Sequence, residues 1–539
     1  MPIFASRIDP STPAFAENRE RMLGRVLEIR SLEQKVRDAS AQSADKFKAR
    51  GQLLPRERVE KLLDPERPFL ELSSLAGYKM HDDDGGENIA GGGSIIGIGF
   101  VEGVRCLVVA NDSAIKGGSI SPMGLRKSLR AQEIALGLKL PIVSLVESGG
   151  ANLLYQAEIF VDGGRVFANM ARLSAIGIPQ ITVVHGSSTA GGAYLPGLSD
   201  YVVVVKGKAK VFLAGPPLVK AALGKDATDE ELGGAEMHAK VSGLAEYLAQ
   251  DDAHAIAIGR EILAKLGWGD DVPPEPARTF QPPKYDIEDL LGIVPADPRK
   301  PYDVREVVAR LADGSDFLEF KKDWGAQTVC VHALLEGHRC AFIGNNGPIH
   351  PQGAAKAAQF IQACCQSGTP IVYLHNTTGF MVGVDAEERG IIKHGAKMIQ
   401  AVANATVPQI AVIIGGSFGA GNYGMCGRSF DPSLVFAWPN SRVAVMGGEQ
   451  AARVMSLITE AKMKRSGAPV DADALAGLHQ QVKEKLDVES NALYATARLW
   501  DDGIIDPRDT RRVLAFALVS CREAARRKLR PSTFGVARM

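Results

Sequence analysis

The sequence predicts an α/β protein made of two similar halves in tandem, and three observations carry that expectation. Ile178-Pro179-Gln180-Ile181-Thr182-Val183-Val184 leads into a glycine-rich turn, Gly186 to Tyr194, and Val407-Pro408-Gln409-Ile410-Ala411-Val412-Ile413 leads into another, Gly415 to Tyr423, at one offset of 229 (408 − 179 and 423 − 194). Walking backwards, the same offset places Pro141-Ile142-Val143 on Pro370-Ile371-Val372, Lys127 on Lys356, Gly124 on Gly353 and Pro122 on Pro351 without a gap. Each half also alternates helix-like segments, Met123 to Leu138 and Gly353 to Gln366, with short apolar runs ending in glycine turns, the pattern of β-α-β units. A duplicated pair of such turns suits an enzyme that passes a group between two carbonyls.

In chain order, Met22, Val26, Ile29, Leu32 and Val36 recur at helical spacing between about Pro13 and Phe47, an amphipathic helix outside the core fold with a packing or assembly role. Arg56 to Asp64 reads as a second helix, and the Asp/Gly-rich stretch His81 to Gly93 as a loop. Ser94–Val101 and Cys106–Ala110 then flank Glu102-Gly103-Val104-Arg105 as a hairpin, repeated around Leu335 to Cys340. Val272-Pro273-Pro274-Glu275-Pro276 and Gln281-Pro282-Pro283 can continue neither helix nor central strand. The expected domains are therefore residues 1–285 and 286–539.

A chain of 539 residues exceeds what one hydrophobic core usually supports. With 62 basic against 62 acidic residues and no dense basic tract, nucleic acid is excluded as a partner, and the absent net charge favours self-association. The longest apolar runs, Ile142 to Val146 and Ile410 to Ile414, read as buried strands and fall far short of a membrane span of roughly 20 residues. Seven cysteines without CxxC pairing, and a start at Met1-Pro2-Ile3-Phe4 with no apolar signal core, give a reduced cytoplasm as the expected location. Cys364 and Cys365 read as small core residues.

A strand that ends in glycines and opens a helix presents unpaired N–H groups and the positive end of a helix dipole, which favours a developing oxyanion. Gly191, Gly192 and Ala193 are the candidate donors of the first half, and Ala420, Gly421 and Asn422 those of the second. The first would hold a thioester oxygen, the second another carbonyl such as the ureido oxygen of biotin. A single turn of this kind is also an ordinary α/β connection; two in register, each followed by a tyrosine, point to function. Neither carries the GxxxxGK[ST] lysine of a phosphate loop. Glu147-Ser148-Gly149-Gly150-Ala151-Asn152 and Asn376-Thr377-Thr378-Gly379-Phe380 end the preceding strands at matching positions and line the same pockets or form plain turns. Glu147 and Glu158 are candidate acids or bases against the commoner solvated or paired carboxylate, and no His or Cys cluster has metal-ligand spacing.

At these turns the chain resembles the carboxyltransferase (β) subunits of biotin-dependent acyl-CoA carboxylases, in the methylcrotonyl-CoA/geranyl-CoA branch and most like the geranyl-CoA version. The runs that carry the likeness are Ser148 to Ala151, Gly186 to Tyr194, Phe212 to Val219, Leu232 to Ala235, Phe418 to Gly427, Ala437-Trp438-Pro439 and Val445 to Ala452. The resemblance implies two crotonase-like domains of the ClpP/crotonase superfamily. Acyl-CoA would bind the N-terminal domain of one subunit, and the acyl-CoA-binding residues would be Ser148, Gly149, Gly150, Ala151, Gly163, Gly164, Asn346 and Gly347, with the branch's acyl-CoA-binding segment near 341–369. Carboxybiotin would meet Thr378, Gly379, Phe380, Gly419 and Tyr423 on the C-terminal domain of another. It further implies a β hexamer in an α6β6 complex, whose biotin carboxylase/biotin carrier α subunit carries the biotin and uses ATP and bicarbonate. In the implied mechanism carboxybiotin releases CO2 at the site, the biotin enolate removes the acyl proton and both oxyanion holes hold the charge, so no side-chain base is required. Two departures from methylcrotonyl-type sequences bear on substrate: Val161-Asp162-Gly163-Gly164-Arg165, in place of an aromatic and a longer stretch, makes room for a larger acyl group such as geranyl, and Asn345 to Pro351 also resembles the geranyl version. A crotonase-type hydratase or isomerase, needing no biotin, is the competing enzyme class, and a non-catalytic scaffold the remaining reading.

Overall fold

The computed structural model describes residues 4–272, 278–295, 300–467 and 469–532, so Pro273 to Pro276 of the expected linker lie outside the described residues. The described residues form two compact units: 31–272, 497–499 and 520–532 make one, and 4–30, 278–295, 300–467, 469–496 and 500–519 the other.

The first-half unit holds an eight-stranded sheet of β1 (Leu70–Glu71), β2 (Ser94–Val101), β3 (Val104–Asn111), β4 (Ile142–Ser148), β5 (Gln180–Thr189), β6 (Tyr201–Val205), β7 (Lys210–Phe212) and β8 (Tyr247–Ala249). Its order is β1-β2-β3-β4-β5-β6-β8 with β7 beside β5. The second-half unit repeats the plan with β9 (Phe317–Glu319), β10 (Thr328–Leu335), β11 (His338–Asn345), β12 (Ile371–Thr377), β13 (Gln409–Phe418), β14 (Leu434–Ala437) and β15 (Arg442–Ala444). There the order is β14-β13-β12-β11-β10-β9 with β15 beside β13. β3 to β6 run parallel, as do β11 to β14, and Val143, Leu145, Ile181 and Val183 sit in one core cluster with Val203 and Val205. Near-continuous apolar strands of this kind need cover on both faces, which the crossover helices supply.

The constant offset is visible as structure: the helix Pro122–Leu138 falls on Pro351–Ser367, β4 on β12 and β5 on β13, end for end. The hairpins share a further signature that sequence spacing hides. Glu102-Gly103 and Glu336-Gly337 all take positive φ, between 50° and 74°, the two-residue turn that matches strand twist. Asp64 accepts the N–H groups of Glu102 and Gly103 at 2.8 and 2.7 Å, and Asp313 those of Glu336 and Gly337 at 2.9 and 2.7 Å. Arg260 donates to the Leu62 carbonyl and Asp64, as Arg511 does to the Leu311 carbonyl and Asp313. Arg56 pairs bidentately with Glu71, as Arg305 does with Glu319. The duplication therefore begins at the helices Pro55–Leu62 and Val304–Leu311, where differing loop lengths break the register of 229.

Outside these repeats, the expected N-terminal helix runs over Pro13–Ala41, and Met22, Val26, Ile29, Leu32 and Val36 are buried along it, with Phe15 and Ser40.

Candidate active site

Both halves end their central strands in the same pair of touching turns. Ile120 donates to the Gly150 carbonyl at 2.9 Å and accepts from Asn152 N–H at 3.0 Å; Ile349 does the same with Gly379 and Met381, both at 2.9 Å. Gly150 N–H donates to Ser148 Oγ at 3.1 Å and Gly379 N–H to Thr377 Oγ1 at 3.2 Å. Gly150 (φ +87°) and Gly379 (φ +115°) hold backbone that side chains disfavour, and a Cβ there would stand 3.3 Å from the Thr189 oxygen and 3.5 Å from the Phe418 oxygen.

In this parallel bridging, the N–H groups of Ala151 and Phe380 point away from the strand that their neighbours bond. Opposite them stand the turn that opens at Ala190, after Thr189, and the helix that opens at Gly419, after Phe418. The N–H groups of Ala190 and Gly191 precede the first bond of their 3₁₀ turn, as those of Gly419, Ala420 and Gly421 precede the first bond of their α-helix. The donors expected at Gly192, Ala193 and Asn422 are thereby displaced: these amides follow the opening carbonyls and belong to their own ladders. Asn422 is a structural side chain besides, donating to Ser417 Oγ at 2.8 Å. In register, the open pairs are Ala151 with Gly191 and Phe380 with Ala420.

The first pair stands at the mouth of a cavity of about 620 Å³. Its walls are the sheet face of Val109, Ile142, Ser144 and Val146, the Pro122–Leu138 helix with Leu125, Ser128 and Ala131, and the Gln156–Ala175 helix with Ile159, Val166, Phe167 and Met170. Gly163 and Gly164 lie on the last helix, and a Cβ on either would meet nothing within 4 Å. Mostly apolar walls with amides at one end fit an acyl thioester: the chain is taken from water while the carbonyl oxygen meets donors. Ser144, Ala131 and Met170 were missed in the sequence because each reads as core on a strand or helix.

The candidate carboxylates are engaged elsewhere. Glu147 is buried, accepts from Arg58 Nη1 at 2.7 Å, and lies where a Cβ on Gly186 would come within 2.7 Å of it. Arg58 Nε also donates to Asp252 at 3.0 Å, and Asp252 bonds His185 Nδ1 at 2.8 Å, a buried network behind the turn. Burial pushes the His185 imidazole down, against the pull of Asp252. Glu158 meets His81 at 3.2 Å on the surface. Ser148 closes β4, and its Oγ donates to the Gly118 carbonyl at 3.0 Å. Gly149 follows it, with its N–H on the Gly117 carbonyl at 3.1 Å.

Among residues assigned to the second site, Thr378 is exposed and Gly379 and Phe380 form the strand-end turn. Gly419 (φ +52°) opens the helix, and half-exposed Tyr423 stacks on Phe430 at 5.8 Å. Asn346 and Gly347 belong to the second-half unit and do not line the first-half cavity; Asn346 Oδ1 accepts from Val304 N–H at 2.8 Å, a helix-start role. Among the described residues no three His, Cys, Asp or Glu side chains gather as metal ligands, and no helix is long and apolar enough to cross a membrane.

Residues 46–536 match the family described as Carboxyl transferase domain. A probable biotin-dependent acyl-coenzyme A carboxylase beta2 subunit of Mycobacterium tuberculosis is 49% identical, with 99% of each chain covered. A probable mitochondrial methylcrotonoyl-CoA carboxylase beta chain of Drosophila melanogaster is 47% identical over 100% of this chain and 95% of its own length. The crystal structure of the beta subunit of P. aeruginosa geranyl-CoA carboxylase superposes with a TM-score of 0.94 at 61% identity, covering 100% of both chains.

Proposed function

Because the chain belongs to the Carboxyl transferase domain family, with its α/β crotonase-like halves, we propose that it is the carboxyltransferase subunit of a biotin-dependent acyl-CoA carboxylase acting on a branched, unsaturated acyl-CoA of geranyl length. The observation that carries this reading is the cavity of about 620 Å³ with the Ala151 and Gly191 amides at its mouth. An enolate formed on a thioester places its charge on the carbonyl oxygen, and two aimed N–H donors in a water-poor pocket stabilise it by about 3–4 kcal/mol per donor. Ser148, Gly149, Gly150 and Ala151 shape that hole, and Gly163 and Gly164 leave the cavity wide. Asn346 and Gly347, on the second half, stay assigned to acyl-CoA as the resemblance implies.

The second hole, at Phe380 and Ala420, fits an acceptor such as the ureido oxygen of biotin, with Thr378, Gly379, Gly419, Gly421 and Tyr423 around it. Biotin, when bound there in its carboxylated form, supplies the carboxyl group. Acyl-CoA is thus assigned to residues 1–285 and biotin to 286–539. The partner is an α subunit that carries the biotin and uses ATP and bicarbonate, the β subunits form a hexamer in an α6β6 assembly, and the complex works in the cytoplasm. A second reading, a 3-methylcrotonyl-CoA carboxylase β subunit, is favoured by the names of relatives 46–47% identical.

The test is fixation of labelled bicarbonate by the chain purified with a biotinylated α subunit and ATP. Faster labelling of geranyl-CoA than of 3-methylcrotonyl-CoA supports the proposal. The reverse order removes the geranyl assignment, and hydration or isomerisation of enoyl-CoA without any α subunit removes carboxyl transfer.

A further inference from the structure

Each half sets its strand-following helix on the same sheet face, so the second half shows what the first half's interface would be if filled. In the second half it is solid: Phe360, Ile361, Tyr373 and Met398 are wholly buried in one cluster. Tyr373 donates its hydroxyl to Gln409 Oε1 at 2.7 Å, and Gln409 Nε2 is anchored on the Val402 carbonyl at 3.0 Å. At the offset of 229 the first half has Ala131 for Phe360, Gln132 for Ile361, Ser144 for Tyr373 and Gln180 for Gln409.

Gln180 donates Nε2 to the Met170 carbonyl at 2.7 Å, one helical turn before Leu173, the position that the offset pairs with Val402. Its Oε1 accepts no hydrogen bond from the described residues, and it lines the cavity together with Ser144. The first half therefore lacks the tyrosine plug of the second and keeps a glutamine on the neighbouring strand, facing the space the plug would fill.

Resting on the acyl-CoA reading above, we infer that Ser144 is the residue that sets acyl chain length, with Ala131 beside it. Gly192 sits next to Ser148, with a Cβ position 3.8 Å from its Oγ. From Ser148 the strand descends four residues, about 13 Å, to Ser144. A geranyl group, with eight main-chain carbons and two methyl branches, enters the space that a tyrosine ring at Ser144 would take. The four-carbon chain of 3-methylcrotonyl ends nearer the mouth. Ser144 selects by absence of volume, and a residue of tyrosine's size closes the deep part of the cavity while leaving the amides at its mouth.

The test is Ser144→Tyr in the complex with its α subunit. The second half already houses a Tyr–Gln pair on the equivalent strands, so a tyrosine at this place has a precedent in the fold. The ratio of kcat/KM for geranyl-CoA to that for 3-methylcrotonyl-CoA falls about tenfold or more. Ala131→Phe, the other second-half residue, moves the ratio the same way and carries the test if the tyrosine variant does not fold. Calorimetric binding of decanoyl-CoA, set against acetyl-CoA, probes the cavity without turnover: Ser144→Tyr lowers affinity for decanoyl-CoA about tenfold relative to acetyl-CoA. If the wild-type complex prefers 3-methylcrotonyl-CoA, the geranyl reading fails while the decanoyl-CoA titration still judges Ser144. An unchanged relative affinity for decanoyl-CoA in both variants overturns the inference.

Discussion

Gly421 and Gly379 meet backbone to backbone: a Cβ on Gly421 would stand 2.8 Å from the Gly379 Cα and 3.3 Å from its carbonyl carbon. The same position in the first half is looser, since a Cβ on Gly192 would meet only the Ser188 and Ser148 side chains, at 3.7 to 3.9 Å. Gly421→Ala must therefore push apart the two turns that carry the Phe380 and Ala420 amides, whereas Gly192→Ala need not. Kinetics of labelled-bicarbonate fixation should show Gly421→Ala lowering kcat about 100-fold, the scale of a misplacement near 1 Å. Gly192→Ala should lose less than tenfold, with melting temperatures showing that both variants fold.

The turns and the central strands were legible in the sequence because the repeat is ungapped there; Pro122 on Pro351 and Gln180 on Gln409 mark helix and strand starts in both halves. Which amide faces a ligand was not legible, because it depends on whether the turn closes as a 3₁₀ or an α-helix, and glycine permits both. The cavity was hidden for another reason. Ser144 in an apolar strand reads as a tolerated core residue, and only its alignment with Tyr373 exposes the missing volume. Partly buried pairs such as Arg260 with Asp64 were likewise invisible, lying 196 residues apart.

Arg58 is almost fully buried and is the link between Glu147 and Asp252. Arg58→Met leaves two buried carboxylates without their counter-ion, and breaking such a pair costs about 3–5 kcal/mol. Denaturant unfolding of the variant should show a loss of this size. Because Glu147 precedes the Ser148–Ala151 turn, activity of the folded fraction should also fall, and rescue by Arg58→Lys should be partial.

His375 and Asp501 give opposite slopes of stability against pH. Burial pushes the His375 imidazole from an ordinary 6.5 down to about 4, so it stays neutral when folded. Its contribution is fully present above pH 6.5 and is lost as pH falls towards 4, by roughly 3 kcal/mol at about 1.4 kcal/mol per pH unit. Burial pushes the Asp501 carboxyl up from 3.8 to about 7, so its contribution is present below 3.8 and is lost as pH rises through 7. Unfolding free energies of wild type and His375→Gln between pH 4 and 7 separate the two. The variant loses the acid-side decline and keeps the rise on acidification that Asp501 supplies.

The most direct measurement of the central claim is a crystal structure of the β subunit with geranyl-CoA bound. The account predicts the thioester oxygen within about 3 Å of the Ala151 and Gly191 nitrogens, with the terpenoid tail running down β4 to Ser144. A thioester oxygen held by side chains or by the second-half turn, or a tail lying outside the cavity, would contradict it.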